Sequence, residues 1–190
     1  MVAVRVAAAV LAAGAGRRMG TPKADLVVAG MRLLDRAVTT ARTAGCTPVI
    51  AVVRPGTAVA GTEIAGAQIV VNPDPDRGMR SSLALAVEAA GSADALAVLL
   101  VDVPGIGADA LRSVVGAWAP GRIAVGRYAD RWGHPIVMAP ELWQTALAAA
   151  GPDEGARGLL AGRADLVDLV DVTGDPTDLD TPDDLARWPG

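Results

Sequence analysis

The pattern that most narrows the fold is an alternation of short, continuously apolar runs with longer stretches of helical spacing. Residues 4–11, 48–53, 67–71 and 96–101 are apolar at most positions, as strands are when both faces of their sheet are covered. Residues 33–44, 81–90 and 108–118 instead repeat apolar side chains every three or four positions, the period of a helix with one buried face. Strand, helix and strand in turn predict an α/β fold, with a mostly parallel central sheet, helices on both faces and right-handed crossovers. Ligands in such sheets bind beyond the carboxyl ends of the strands. The three most unusual loops, residues 14–23, 72–79 and 102–107, leave just those ends.

After Gly121 the pattern changes. Residues 122–125 and 135–138 flank a polar stretch, 128–133, which reads as a hairpin or mixed-sheet insertion. Residues 141–149 and 155–162 are helical and 167–172 form a further strand. Thr181 suits a helix N-cap, Pro182 the first helical position, and Asp183 and Asp184 the positive end of the dipole. No linker or repeat divides the 190 residues, so residues 1–190 are expected to be one domain. Hydrophobic residues make up 52% with no phenylalanine, which requires small aliphatic side chains packed closely. The net charge of −4 without a basic block argues against a nucleic-acid or membrane partner. The single cysteine, Cys46, excludes an internal disulfide and suits a small buried position. Arg5 followed by the apolar residues 6–13 has the order of a secretion signal. Cleavage near Ala15 would remove the first strand of a regular pattern, so the segment is read as a strand and the protein as cytoplasmic.

The first loop, Gly14-Ala15-Gly16-Arg17-Arg18-Met19-Gly20-Thr21-Pro22-Lys23, holds the one lysine among 17 basic residues. Glycines let backbone N–H groups approach an anion, Arg17 and Arg18 offer forked donors, and Lys23 offers a point charge. The loop is neither a Walker A sequence nor a G-x-G-x-x-G fingerprint, since its glycines fall one residue further apart. Asp102, at the tip of an apolar run and before Val103-Pro104, is placed to hold Mg²⁺ at a phosphate or to act as a plain loop acid. Asp178 and Asp180 are candidates for a second carboxylate. Between Asn72 and Met79 the chain enters a helix that Ser81 or Ser82 can cap while turning a hydroxyl toward a ligand. His134, the only histidine, either binds a substrate phosphate or fastens a loop. Arg157, after Asp153-Glu154, either reaches an anion or forms a surface ion pair.

Together these segments resemble the MobA-like NTP transferase family, with the closest match to molybdenum cofactor cytidylyltransferases. The resemblance rests on the run from Leu11 to Lys23, then Arg77-Gly78-Met79-Arg80-Ser81-Ser82, Val101-Asp102-Val103-Pro104, Gly133-His134-Pro135, Gly155-Ala156-Arg157 and Asp178-Leu179-Asp180. It implies a Rossmann-like nucleotidyltransferase fold that moves a nucleoside monophosphate, CMP from CTP, to the phosphate of a molybdopterin-type acceptor and releases pyrophosphate. A molybdoenzyme would be a further partner. By the same resemblance, Leu11, Ala12, Ala13 and Gly14 meet the nucleotide with Asn72, Ser81 and Ser82. Arg18 and Lys23 grip the triphosphate, Asp102 and Asp180 hold Mg²⁺, and His134 and Arg157 face the acceptor. Two other readings compete. Relatives of this shape include nicotine blue oxidoreductase, and Arg54 after the second strand could meet the 2′-phosphate of NADPH. A non-catalytic protein that binds cofactor or nucleotide and hands it on would bind without turnover.

Overall fold

Strand β1 (Val6–Ala12) is buried along its whole length, and its side chains divide between two cores. Val6, Ala8, Val10 and Ala12 pack with Leu33, Leu34 and Val38 of α1 (Leu33–Thr43) and with Ala110, Leu111 and Val114 of α3 (Ala108–Ala117). Ala7, Ala9 and Leu11 pack on the opposite face, with Leu83, Ala86 and Val87 of α2 (Met79–Ala89) and with Trp143 and Ala146 of α4 (Pro140–Ala149). A strand alternates its side chains between faces, so an unbroken apolar run is what a sheet covered by helices on both sides requires. The computed structural model describes residues 4–58, 64, 66–151 and 155–188.

The remaining strands of the main sheet are β4 (Val49–Val53), β5 (Ala67–Val71), β6 (Ala95–Leu100), β7 (Ile123–Tyr128), β8 (Arg131–Met138) and β9 (Val167–Asp171). With β1 they form a seven-stranded sheet in the order β5-β4-β1-β6-β8-β7-β9. β1 pairs in parallel with both β4 and β6, and β8 alone runs against its neighbours. The chain winds outward from β1 to β4 and β5, then returns to β6 on the other side. The carboxyl ends of β1 and β6 therefore flank a topological switch point, where open α/β sheets place ligands.

Several boundaries differ from the sequence expectation. The hairpin is longer than residues 122–125 and 135–138, because β7 and β8 run on to a tight turn at Ala129-Asp130, where Ala129 has φ 53°. Gly126, Arg127 and Gly133 interrupt the apolar pattern there but still pair across the ladder. A two-stranded ladder of β2 (Val27–Val28) and β3 (Met31–Arg32) was too short to read.

Helix α2 starts at Met79 rather than Ser81. Gly78 is its N-cap at φ 92°, with no side-chain cap, so neither Ser81 nor Ser82 caps the helix. Helix α5 (Arg157–Gly162) begins two residues later than the expected Gly155, which has φ 53°; Asp153 and Glu154 lie outside the described residues. Helix α6 (Pro182–Arg187) forms as expected, with the Thr181 hydroxyl accepting from the Asp184 N–H and the Asp184 carboxylate accepting from the Thr181 N–H. Among the described residues no helix is long and apolar enough to cross a membrane.

Candidate active site

The backbone of β1 and the turn after β6 meet directly, with the Val101 N–H donating to the Leu11 carbonyl at 3.2 Å. That contact sets Asp102 against the first loop. The loop itself is folded tightly: Gly16 has φ 59°, and a Cβ there would lie 1.9 Å from the Thr21 carbonyl oxygen. Only glycine allows this return, which brings Lys23 back beneath the loop.

The Lys23 ammonium donates to Asp102 Oδ2 at 2.5 Å and also to Asp180 Oδ1. The Lys23 side chain is 14% exposed, against 20% for Asp102 and 39% for Asp180. Burial opposes the charge on Lys23, but hydrogen bonds to Asp102 and Asp180, with their negative charge, outweigh it and hold its pKa above the ordinary 10.5. Arg18 reaches Asp180 Oδ2 at 3.4 Å from the solvent side. Arg17 spans the mouth to Asp76 Oδ1 at 3.2 Å, so both loop arginines stay exposed at the rim.

Asp180 is delivered from far along the chain by backbone contacts. The Leu179 N–H donates to the Asp102 carbonyl at 2.8 Å, and the Asp175 N–H donates to Gly105 O at 3.2 Å. Leu179 is buried, so its neighbours in the extended segment project away from it. Asp180 turns to Lys23 while Asp178 stays exposed, which separates the two candidates that the sequence left open. Gly105 permits the approach, because a Cβ there would stand 2.4 Å from Asp175 O and 2.8 Å from the Trp188 ring.

One oxygen of Asp102 and one of Asp180 thus converge on a single cation, the Lys23 ammonium. A divalent cation suits the same pair, because Mg²⁺ takes one or two carboxylates and completes its shell with water and phosphate oxygens. Among the described residues no group of three or more His, Cys, Asp or Glu side chains is placed to hold a metal ion.

A cleft of about 230 Å³ opens beside this cluster, lined by Leu11, Ala13, Gly14, Lys23, Ser82 and Asp102 among others. Asn72 is nearly fully buried. Its amide donates to Ser81 Oγ at 2.8 Å and Ser82 Oγ at 2.9 Å, and its oxygen accepts from the Asp74 N–H at 3.0 Å. These three expected nucleotide contacts form a clamp that holds the 72–78 loop against α2; of the three, only Ser82 also lines the cleft. Arg54 stands at the cleft edge, 3.5 Å from the Ala13 carbonyl.

A second cavity of about 330 Å³ adjoins the first and shares Leu11, Met79 and Leu100 with it. His134 and Arg157 both line it, so the two expected acceptor residues lie together. The His134 ring places Nδ1 3.1 Å from the Val98 carbonyl. Burial pushes its pKa down, against the opposing pull of that carbonyl and of the Asp102 charge. A neutral ring is poorly suited to hold a phosphate. Trp132 and Met79 complete the cavity; the sequence leaves Trp118, Trp132, Trp143 and Trp188 open between core, acceptor pocket and interface, and Met79 without a role at the site.

A sequence model of the MobA-like NTP transferase domain matches residues 8–168. The chain is 34% identical over 194 residues to a nicotine blue oxidoreductase of Paenarthrobacter nicotinovorans, covering 96% of this chain and 95% of that one. It is 37% identical over 127 residues to a probable molybdenum cofactor guanylyltransferase of Opitutus terrae, covering 66% of this chain and 61% of the relative. Among solved structures, Rv0371c from Mycobacterium tuberculosis H37Rv superposes with a TM-score of 0.83 at 31% identity over 98% of each chain. A structure of Rv0371c in complex with manganese gives a TM-score of 0.79 at 28% identity over 97% of each chain.

Proposed function

The chain belongs to the MobA-like NTP transferase family, and on that footing we propose that it is a divalent-cation-dependent nucleotidyltransferase acting on a molybdopterin-type acceptor. The observation that supports this most is the convergence of Asp102 and Asp180 on one cation beside the glycine loop. In this reading Asp102 and Asp180 hold Mg²⁺, which supplies charge neutralisation at the triphosphate; the manganese complex of the mycobacterial protein supports a divalent cation. Lys23 exchanges its carboxylates for phosphate oxygens. Arg18, already at the rim, adds a forked donor. The backbone at Ala12, Ala13 and Gly14 meets base and sugar above Leu11, and the Asn72–Ser81–Ser82 clamp fixes the opposite wall.

The acceptor phosphate is already ionised, so attack on the α-phosphorus needs no general base. The protein's work is alignment and stabilisation of developing charge. Two features divide on the nucleotide: Ala12-Ala13 before Gly14 resembles the cytidylyl branch of the family and points to CTP, and the relative named as a guanylyltransferase points to GTP. The test measures pyrophosphate release from CTP and GTP in parallel, with Mg²⁺ and molybdopterin. Turnover that survives intact in Lys23→Arg or Asp102→Ala would overturn the residue roles, since arginine keeps the charge but not the compact contact.

One observation favours a second reading. The relative matched over nearly the full length is named as an oxidoreductase, and Arg54 at the cleft edge could meet a 2′-phosphate. Saturable NADPH binding with oxidation of the cofactor, and no pyrophosphate release, would select it.

A further inference from the structure

The second cavity presents an unusual set of groups for a site that must take a phosphorylated molecule. Its walls are largely apolar, formed by Leu83, Val98, Ile136 and Leu160 with the ring of Trp143. Trp143 offers no donor, because it is buried and its indole N–H is spent on the Leu96 carbonyl at 2.9 Å. Trp132 is different. It lines the same cavity yet is 53% exposed, on an antiparallel hairpin whose backbone fixes its position. A large aromatic face left to solvent at the edge of an apolar cavity is a stacking platform for a planar ring.

His134 supplies the complementary polar feature. The Val98 carbonyl can only accept, so Nδ1 carries the proton. The His134 carbonyl in turn accepts from the Tyr128 hydroxyl at 2.8 Å, which steadies the backbone beneath the ring. Among the described residues no protein group engages Nε2, so in the neutral ring it is a lone pair available to a ligand. Burial favours that neutral form. The one cation in the lining is Arg157, exposed and without a protein partner among the described residues.

We propose that this cavity recognises the ring of its ligand rather than its phosphate: a planar heteroaromatic stacks on Trp132 and donates an N–H to His134 Nε2, while an anionic substituent meets Arg157. Trp132 and His134 are then specificity-determining residues. His134 reads a donor and does not bind phosphate. The identification of this ligand as the acceptor rests on the nucleotidyltransferase reading. The recognition chemistry does not, because it follows from the cavity.

The test compares two planar carboxylates on the full chain by calorimetry: pterin-6-carboxylate, which carries ring and exocyclic N–H donors, and 1-naphthoate, which carries none. Wild type should bind the pterin at least tenfold more tightly. Trp132→Ala should weaken both probes five- to fifty-fold, and Trp132→Phe should restore most of the loss. His134→Leu should weaken the pterin alone and remove the preference, which a general loss of structure would not do.

Equal affinity for the two probes in wild type, or an unchanged preference in His134→Leu, would overturn the proposal. CTP and GTP binding with Mg²⁺, measured by thermal shift on the same proteins, separates the two readings. Selective pterin binding without nucleotide binding would keep this inference and remove the nucleotidyltransferase reading. Nucleotide binding without pterin selectivity would do the reverse.

Discussion

Replacing Lys23 by methionine tests whether the ammonium stands where a divalent cation belongs. Methionine keeps the length and apolar stem of the side chain and deletes the charge. The lost contacts are two hydrogen bonds between charged groups, to Asp102 at 2.5 Å and to Asp180. Such bonds contribute roughly 1.5–3 kcal/mol each. Asp180 is 39% exposed, so water compensates part of its share, and the total loss should be about 2–4 kcal/mol. For a chain of this size each kcal/mol moves the melting temperature by about 2–4 °C, which gives a fall of roughly 4–16 °C in EDTA. Two carboxylates without their ammonium should then draw in a cation more strongly than the wild type does. Mn²⁺ at a hundred times its Kd would return about 2.7 kcal/mol. The assay is paired differential scanning calorimetry of both proteins in EDTA and in rising Mn²⁺, with Mn²⁺ affinity measured separately by electron paramagnetic resonance. The expected result is a destabilised variant that binds Mn²⁺ more tightly and gains more from it. A variant as stable as wild type in EDTA, or one that gains no more from Mn²⁺, would refute the reasoning.

Three other outcomes follow from the same geometry. The pKa of Lys23 is raised above 10.5, so its stabilisation is complete below that value and is lost as pH rises through the higher folded value. The difference in urea midpoint between wild type and Lys23→Met should therefore stay level through neutral pH and shrink in strong alkali. Gly105→Ala places a Cβ against Asp175 O and Trp188, shifting the segment that carries Asp180; Mn²⁺ affinity measured by calorimetry should fall about tenfold although no charge is removed, roughly 1.4 kcal/mol. Thr181→Ala removes the hydroxyl that caps α6, at a cost of about 1 kcal/mol, and thermal unfolding should show the melting temperature about 2–4 °C lower.

Strands β1, β4 and β6 were legible because burial on both faces writes itself as an unbroken apolar run; residues 67–71 carry a similar run, but β5 stands at the sheet edge and none of its residues is buried. The lone lysine was legible by contrast with the arginines around it. What stayed hidden depends on contacts between distant segments. Asp178 and Asp180 have the same chemistry and flank the buried Leu179 alike, and only the contacts of Asp180 with Lys23 and Arg18 distinguish the one that faces the site. Ser81 and Ser82 read as caps because serine favours that position, but Gly78 at φ 92° opens the helix two residues earlier. They answer to Asn72 instead, a partner that helix propensity does not reveal. The proton on His134 is set by a carbonyl of a neighbouring strand, which no local pattern encodes.

The antiparallel course of β8 within the main sheet explains why two cavities share a wall. A parallel strand beside β6 would bring its own carboxyl end to the binding edge and would need a crossover to arrive there. β8 runs the other way, with Leu96 opposite Met138 and Val98 opposite Ile136. His134 precedes that ladder, with its ring against the Val98 carbonyl, toward the end of β6 from which Asp102 emerges. The first half of β8 and the turn before it are thereby delivered to the switch point, carrying Trp132 and His134. The arrangement divides labour between neighbouring strand ends: β1 and β6 contribute the charges suited to a triphosphate, and β8 contributes an aromatic face and a lone pair suited to a ring. Leu11, Met79 and Leu100 stand between the two. An enlarged side chain at any of them would narrow both cavities at the wall that they share.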